Sequence, residues 1–346
     1  MGVHSSMLMW IKSYLTNRSQ RVKIGKFELR LFLAKSGILA GSYLGRLLFN
    51  LFINDLSSIF VKCRSLLFAD DVKLFCKVST PLDALDFQRD IDRFVKWCSG
   101  NHLLLNVDKC HIMTYNRNRS PFIIDYFLSS SIVNRIVEMR DLGIIFDTKL
   151  SFCAHIDFVV AKAYSMLGFI MRFCNEMNEP YALKSIYCYL VRSLLEFGSV
   201  IWDPFYSVHI NRIEAIQKRF ITYALRRLGW RDTQCLPSYK SRCNLVHLET
   251  LINRRKINSA VFLFDIVTGR LDSANLLALI GWKVPCIRRL RRNEIFFIET
   301  HRTNYGMREP INTMCMNFNH VGKHFDYHMT RCAFREGCSS AIATLL

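Results

Sequence analysis

The spacing of hydrophobic positions along the chain changes several times, and each change marks a new element. Apolar residues at helical spacing from Met7 to Leu15 predict an amphipathic helix. A polar turn, Asn17-Arg18-Ser19-Gln20, leads to a short strand, Val22-Lys23-Ile24, and Gly25 then signals a hairpin. Gly37, Gly41 and Gly45 punctuate the next stretch, after which Leu47, Leu48, Leu51, Phe52 and Leu56 recur at helical spacing. A glycine-rich loop is therefore expected to open a buried helix. Two apolar runs, Ser65–Ala69 and Val72–Cys76, flank Asp70-Asp71, which is the pattern of a tight hairpin in a two-sided buried sheet with acids at its tip.

A punctuated helix follows. Thr80 can cap it, Pro81 suits its first turn, Ala84, Phe87, Ile91, Phe94, Val95 and Cys98 form one apolar stripe, and Gly100 ends it. Strands are expected at Leu103–Leu105 and His111–Tyr115, around the turn Asn106-Val107-Asp108-Lys109, and onward to Thr148, including Leu142–Phe146. After Ser151 the spacing becomes helical, over Asp157–Asn175, Pro180–Phe197 and Val208–Leu228. In the last of these, Ile210, Ile213, Ile216, Phe220 and Ala224 make one face apolar, while Arg212, Lys218, Arg219, Arg226 and Arg227 make the rest basic. Beyond it the period is hard to read, and the basic runs Arg254-Arg255-Lys256 and Arg288-Arg289-Leu290-Arg291-Arg292 stand out. The fold class predicted is α+β, with the helices concentrated in the second half.

Composition adds a partner class. A chain of 346 residues, 51% apolar, has enough material for about two domains. Its 47 Lys and Arg against 28 Asp and Glu leave a net charge of +19, a field that attracts polyanions such as nucleic acid or an anionic membrane. The membrane reading is weak. Lys162, Arg172 and Arg192 interrupt the greasiest stretches, and the start lacks a signal peptide's basic and apolar regions. Met1-Gly2-Val3-His4-Ser5-Ser6 fits a myristoylation pattern, but that pattern is loose and one acyl chain anchors only marginally. Thirteen cysteines, an odd number with no CxxC pair, fit a reducing, intracellular, non-secreted setting. His324, His328, Cys332 and Cys338 could present three ligands on one helix face, although structural zinc sites usually use tighter cysteine pairs.

Adjacent acids at a hairpin tip repel one another unless something cationic neutralises them, and a divalent metal that also binds phosphates is the obvious neutraliser. An isolated Asp-Asp turn is more often simply solvated, so the neighbouring motifs decide the matter. Phe68-Ala69-Asp70-Asp71 follows Gly37-Ile38-Leu39-Ala40-Gly41-Ser42-Tyr43-Leu44-Gly45-Arg46-Leu47-Leu48-Phe49 and Leu51-Phe52-Ile53-Asn54-Asp55-Leu56. It precedes Leu105-Asn106-Val107-Asp108-Lys109-Cys110 and Leu142-Gly143-Ile144-Ile145-Phe146-Asp147. In this order the set resembles the later palm motifs of non-LTR reverse transcriptases such as those of jockey-like elements: the Gly-rich, FADD, LNxxKC and LGIxxD blocks. Trp10-Ile11-Lys12-Ser13-Tyr14-Leu15-Thr16-Asn17-Arg18-Ser19-Gln20 is likewise similar to the segment that precedes the Gly-rich block.

The resemblance implies an RNA-directed DNA polymerase that works with an RNA template, a DNA primer or target and dNTPs, in cytoplasm and nucleus, without a membrane. It implies that Asp70 and Asp71 bind catalytic Mg²⁺, that Gly41 and Ser42 shape the loop under nucleotide and template, and that Lys109 assists the leaving group. Leu142 and Gly143 would belong to the hairpin that positions the primer end, and Arg219, Arg226 and Arg227 to a thumb that tracks the duplex. The implied architecture is a partial right-hand palm with an antiparallel sheet over 1–117, a β connector and primer grip over 118–155, a helical thumb over 156–232, and a basic, mostly helical C-terminal region of open role over 233–346. Three departures stand out. Leu39-Ala40 replaces the usual Pro-Gln, Arg46 replaces a Pro, and residues before Asp55 include no Asp and one acid, Glu28. The expectation is a chain that begins in mid-palm, lacks the earlier carboxylate and the fingers, leaves the two-metal site incomplete, and is inactive by itself. The alternative from another class is a non-catalytic, basic nucleic-acid-binding protein.

Overall fold

The computed structural model describes residues 4–34, 37–38, 41–117, 122–177, 179–230, 237–284 and 294–344. Leu39-Ala40, Arg288–Arg292 and the first three residues of the myristoylation-type start lie outside them. The chain divides into two compact units, Met1–Ile136 and Val137–Leu346, with the division inside the stretch 118–155.

Unit 1 opens with helix α1 (Ser5–Leu15), then the short strands β1 (Ser19–Gln20), β2 (Lys23–Ile24), β3 (Phe27–Glu28) and β4 (Phe32–Leu33). β2 and β3 form a hairpin that turns at Gly25, whose φ of +60° suits a residue without Cβ. Helix α2 (Tyr43–Phe52) leads to a second hairpin, β5 (Arg64–Phe68) and β6 (Asp71–Phe75), then to the long helix α3 (Pro81–Gly100) and the strands β7 (His111–Ile112), β8 (Phe127–Leu128), β9 (Ser131–Ile132) and β10 (Asn134–Arg135). The expected cap on α3 is present in full. The Thr80 hydroxyl accepts from the Asp83 amide, and the Asp83 carboxylate accepts from the Thr80 amide, so two otherwise orphaned N–H groups are satisfied. The apolar stripe of α3 packs Ala84 and Ile91, with Phe87 and Val95, against Tyr126, Leu128 and Val133; the Phe87 and Tyr126 rings meet edge-on at 5.0 Å.

Three expectations for this half need correction. Leu103–Leu105 is irregular, and of His111–Tyr115 only His111–Ile112 pairs, in parallel with β10. α2 forms where helical spacing placed it, but only Gly45 in it is buried, and Leu47, Leu51 and Phe52 are exposed. The β5–β6 hairpin also lacks a two-sided sheet around it: Leu66, Phe68 and Phe75 are exposed, and the strands of the described residues pair only two by two. A side chain is buried only when another element covers its face, and local spacing does not specify that element.

Unit 2 begins with hairpin β11 (Glu138–Asp141) and β12 (Ile144–Asp147) and is otherwise helical. Its elements are α4 (Cys153–Phe173), α5 (Pro180–Tyr187), α6 (Ser193–Glu196), α7 (Ser199–Trp202), α8 (Ser207–Arg227), α9 (Tyr239–Leu245), α10 (Leu251–Val267), α11 (Ala274–Leu277), α12 (Asn304–Met307), α13 (Pro310–Val321) and α14 (Arg331–Thr344). The predicted helix Pro180–Phe197 is interrupted by a π-helical turn over Cys188–Arg192. By length and composition α4 could cross a membrane, which the sequence pattern had not indicated. Here it is a core helix, burying Ile156, Val159, Val160, Ala163, Leu167 and Ile170 against Ile213, Ile216 and Phe220 of α8. A second core lies along α10, α13 and α14, where Phe264, Phe318 and Phe334 stack or meet edge-on with Phe296 and Phe325.

Helix α10 belongs to both cores, through Leu251 at its start and Ile257 to Ile266 beyond. An acid inside α8 fixes where it starts. Glu214 is 5% exposed, and its carboxylate accepts from the Ile252 amide at 2.6 Å, the Leu251 amide at 3.4 Å and the Tyr239 hydroxyl at 2.5 Å. The N-terminus of α10 thereby receives a negative cap from another helix. The basic run Arg254-Arg255-Lys256 is accordingly not a surface patch. Arg254 forks onto Glu196, with Nη2–Oε2 at 2.8 Å, and Arg255, 2% exposed, pairs with Asp203 at 2.7 Å. Burial raises the Asp203 carboxyl above its ordinary range even with the Arg255 guanidinium beside it.

Glu214→Ala removes a charged acceptor from three donors, so equilibrium unfolding in urea should show a loss of about 3 kcal/mol. A loss below about 1 kcal/mol would mean that water replaces the carboxylate and that α10 does not depend on it.

Candidate metal and nucleic-acid site

The β5–β6 hairpin carries the acid pair at its tip, and its root is held by α3. Register runs from Arg64 opposite Phe75 to Phe68 opposite Asp71, so Ala69 and Asp70 form the turn, with Ala69 in the left-handed region at φ +52°. At the root, Asp90 of α3 is fully buried and accepts from the amides of Val61 at 3.1 Å, Lys62 at 2.8 Å and Cys63 at 2.8 Å, while Arg93 pairs with it from the solvent side. Burial alone would raise this carboxyl; the Cys63, Val61 and Lys62 amides outweigh burial and hold it at about 2. Burial and the neighbouring Asp90 push the Cys63 thiol up to about 12, so it stays a neutral core group. Lys62 adds an ion pair to Asp83 at 2.6 Å. Sequence reasoning missed Asp90, although an acid one position before Ile91, inside the apolar stripe, was a usable signal.

The tip is free of such ties. Asp70 and Asp71 are exposed, and neither makes a hydrogen bond or ion pair among the described residues. No third carboxylate, His or Cys among those residues joins them within ligand-sharing distance. Lys109 ends the 3₁₀ turn Val107–Lys109 with its side chain exposed, and no hydrogen bond links it to the tip. Gly41 adopts φ +81° with nothing within 4 Å of where a Cβ would stand, so the loop is open on that side. Ser42 caps α2 by accepting from the Gly45 amide at 3.2 Å and lies 2.7 Å from the Tyr14 hydroxyl. Glu28 pairs with Arg21 at 2.6 Å and Lys23 at 3.1 Å.

The remaining residues named by sequence lie in unit 2. Leu142 and Gly143 form the turn of β11–β12, at φ +45° and +91°, and a Cβ on Gly143 would stand 3.1 Å from the Phe197 ring. This hairpin is anchored to α4 twice. Asp147 accepts from the amides of Lys149, Ser151 and Phe152 just before the helix, and the buried His155 accepts from the Ile145 amide at 3.2 Å. Burial and then Arg140 lower the His155 pKa, favouring the neutral ring that can accept. On α8, Arg219 and Arg226 are exposed, seven residues and so two turns apart, while Arg227 turns back to the Asn175 carbonyl. Arg219 borders a groove of about 350 Å³ with Tyr164, Leu167 and Gly168 of α4.

The C-terminal His and Cys residues do not gather. His324 bonds to the Phe334 carbonyl at 3.1 Å, His328 and Cys332 are exposed, and Cys338 is buried among apolar side chains that push its thiol up to about 12. The group of three metal-type donors found among the described residues is instead Glu299, His301 and Glu309.

Comparison with known proteins defines the class. Residues 1–171, just under half of the chain, match the family described as reverse transcriptase (RNA-dependent DNA polymerase), so the chain carries a reverse transcriptase domain over that stretch. Its relatives are polymerases of non-LTR retrotransposons. The RNA-directed DNA polymerase from mobile element jockey of Drosophila melanogaster is 23% identical over 231 residues, covering 63% of this chain and 24% of the relative. The probable RNA-directed DNA polymerase from transposon X-element of the same species is 26% identical over 223 residues, 60% of this chain and 24% of the relative. The corresponding protein from transposon BS is 24% identical over 220 residues, again 60% and 24%. The chain thus spans about a quarter of the length of the curated relatives it matches. No solved structure matches it. Reverse transcriptases as a family use divalent metal ions and act on nucleic-acid template and primer.

Two measurements test this geometry. Asp90 has a folded-state pKa of about 2 against an ordinary 3.8, so its stabilisation is complete above about pH 5 and drains away as pH falls through 2. Asp90→Asn should cost about 2 kcal/mol at pH 7 and flatten that acid dependence in urea unfolding; an unchanged acid limb would show that the clamp is not Asp90. The double change Asp70→Asn with Asp71→Asn should move stability by less than about 0.5 kcal/mol, because neither carboxylate has a structural partner. A larger loss would mean that the tip acids serve the fold.

Proposed function

We propose that the chain is the later-palm and thumb part of an RNA-directed DNA polymerase, with Asp70 and Asp71 as its Mg²⁺ ligands. The observation that carries this reading is the contrast within one hairpin. Its root is clamped by a buried acid, while two adjacent carboxylates at its tip repel each other with no structural partner to neutralise them. Two free carboxylate groups suit a hard cation that keeps room for phosphate oxygens. A bound Mg²⁺ supplies charge neutralisation on phosphate and activation of a hydroxyl. The protein's own residues serve positioning. The open loop at Gly41 and Ser42 lets a nucleic-acid backbone come close, and Lys109 offers a cation to a leaving phosphate. In unit 2 the anchored turn Leu142-Gly143 receives the primer end, while Arg219 and Arg226, assisted by Arg227, track phosphates. On this reading the partners are an RNA template, a DNA primer and dNTPs, in cytoplasm and nucleus. The stretches 1–117, 118–155, 156–232 and 233–346 act as partial palm, connector, thumb and C-terminal region.

The 346 residues alone bring two acids to the tip and no third donor among those described, so by themselves they bind nucleic acid without extending a primer. Fe²⁺ in place of Mg²⁺, with ascorbate and peroxide, should cut the backbone near residues 68–73 in the wild type and not in the Asp70→Asn, Asp71→Asn double variant. Equal cutting in both would remove the tip as a metal site. A labelled RNA–DNA duplex should bind with affinity that falls steeply with salt, and a primer on an RNA template should stay unextended with Mg²⁺ or Mn²⁺. Extension that Asp70→Ala abolishes would reveal another carboxylate completing the site.

A further inference from the structure

Helices α10 and α14 run antiparallel, since Arg331 meets Asp265 while Arg335, one turn on, meets Asn258 two turns back. Four arginines come together along this seam and the neighbouring α6. Arg254 and Arg192 share Glu196, at 2.8 Å and 3.7 Å, and Arg331 holds Asp265 at 2.9 Å. Arg335 differs from the other three. Its one hydrogen bond goes to the neutral Asn258 oxygen at 3.1 Å, and it makes no ion pair among the described residues. Its other guanidinium nitrogens are not sealed in, so they reach solvent. Half-burial, Arg254 and Arg331 weaken its hold on its own proton, despite Glu196 nearby. Four guanidinium groups thus face Glu196 and Asp265, with Glu249 also acting on Arg254, so positive charge is in excess and Arg335 is the guanidinium left without an ion pair among the described residues.

We propose that Arg335, with Arg331 beside it, forms a phosphate-binding site for a nucleic-acid backbone on the α10–α14 face of the C-terminal region. A guanidinium with free N–H donors in a fixed fork suits a phosphodiester, and one bound phosphate offsets the excess positive charge. The site lies in the stretch 233–346, for which sequence reasoning found no role, and no residue there was assigned to template or primer. The proposal rests on the reading that this chain handles nucleic acid.

The test is titration of a fluorescein-labelled 20-mer RNA–DNA hybrid with the full chain at two salt concentrations. Arg335→Gln should weaken binding about fivefold and lower the slope of log affinity against log salt by about one. Arg335→Lys should keep the slope while losing part of the affinity, because it keeps the charge but not the fork. The thermal midpoint of Arg335→Gln should not fall, since the change removes repulsion. Wild-type affinity and slope in Arg335→Gln would overturn the site. If the pair Arg219→Gln, Arg226→Gln loses binding while Arg335→Gln keeps it, this site alone falls. If the wild type does not bind the hybrid, the nucleic-acid reading falls and takes this site with it.

Discussion

A carboxylate buried in one helix and capping another is the constraint from which the larger unit is organised. Glu214 could not be left in the interior of α8 without partners, because an unpaired buried acid costs several kcal/mol. The amides at the start of α10 face the matching problem, being donors with no intrahelical acceptor. Placing the two together satisfies both, and the Tyr239 hydroxyl takes a further lone pair. Because α10 then runs on into the second core, the position of Phe264, and through it Phe318 and Phe334, follows from where Glu214 sits. Gln217, one turn along α8, reinforces the junction by joining Tyr187, Tyr239 and the Glu249 carbonyl. One polar seam therefore sets the geometry of two apolar cores.

The same principle separates structural acids from available ones. Asp83, Asp90, Asp147 and Glu214 each accept from backbone amides, either at a helix start or at the root of a strand. Their charge is consumed locally, and their removal is a question of stability. Asp70 and Asp71 accept from nothing among the described residues, although they sit on a hairpin whose base is among the better anchored points of unit 1. An acid pair that the fold does not use, displayed on a fixed support, is what metal binding requires, because the support limits the entropy lost when the ion arrives. Asp147 marks the opposite case: the last residue of the LGIxxD block is engaged in capping the approach to α4.

Helices with complete local signals were legible in the sequence. α3 was, because its cap, its first-turn proline and its stripe all lie within its own residues; α4 and α8 were readable from apolar spacing alone, and α4, which has no capping side chain, starts at Cys153 rather than at the expected Asp157. The hairpin with Asp70 and Asp71 at its tip was also legible, since the turn needs only the local alternation. Burial was not. α2 and the β5–β6 strands have the spacing of buried elements, yet Leu47, Leu66 and Phe68 are exposed, because covering them depends on surfaces that no local pattern specifies. α10 escaped notice for the reverse reason: Arg254 and Arg255 look like surface cations, and only Glu196 and Asp203, more than fifty residues earlier, make their burial tolerable. The family relationship was readable from motif order, because order is preserved even where single residues such as Arg46 depart.

Net charge was the other early guide, and the structure sharpens what it can mean. Each ion pair is neutral, so Arg254 with Glu196, Arg255 with Asp203, Arg212 with Asp157 and Arg331 with Asp265 add nothing to the +19. The excess must reside on cations that have no acid. Among the described residues of unit 2 these include Arg219 and Arg226 on α8, exposed on one face, and Arg335 on α14, held among other arginines. Long-range attraction of a polyanion depends on the sum of charge and falls with salt screening, whereas a phosphate that has arrived is held by particular donors. Pairing commits an arginine's charge to the fold, while the unpaired ones, as with Arg335 beside the paired Arg331, carry the net charge that binding draws on, so a count of basic residues overstates the capacity to bind.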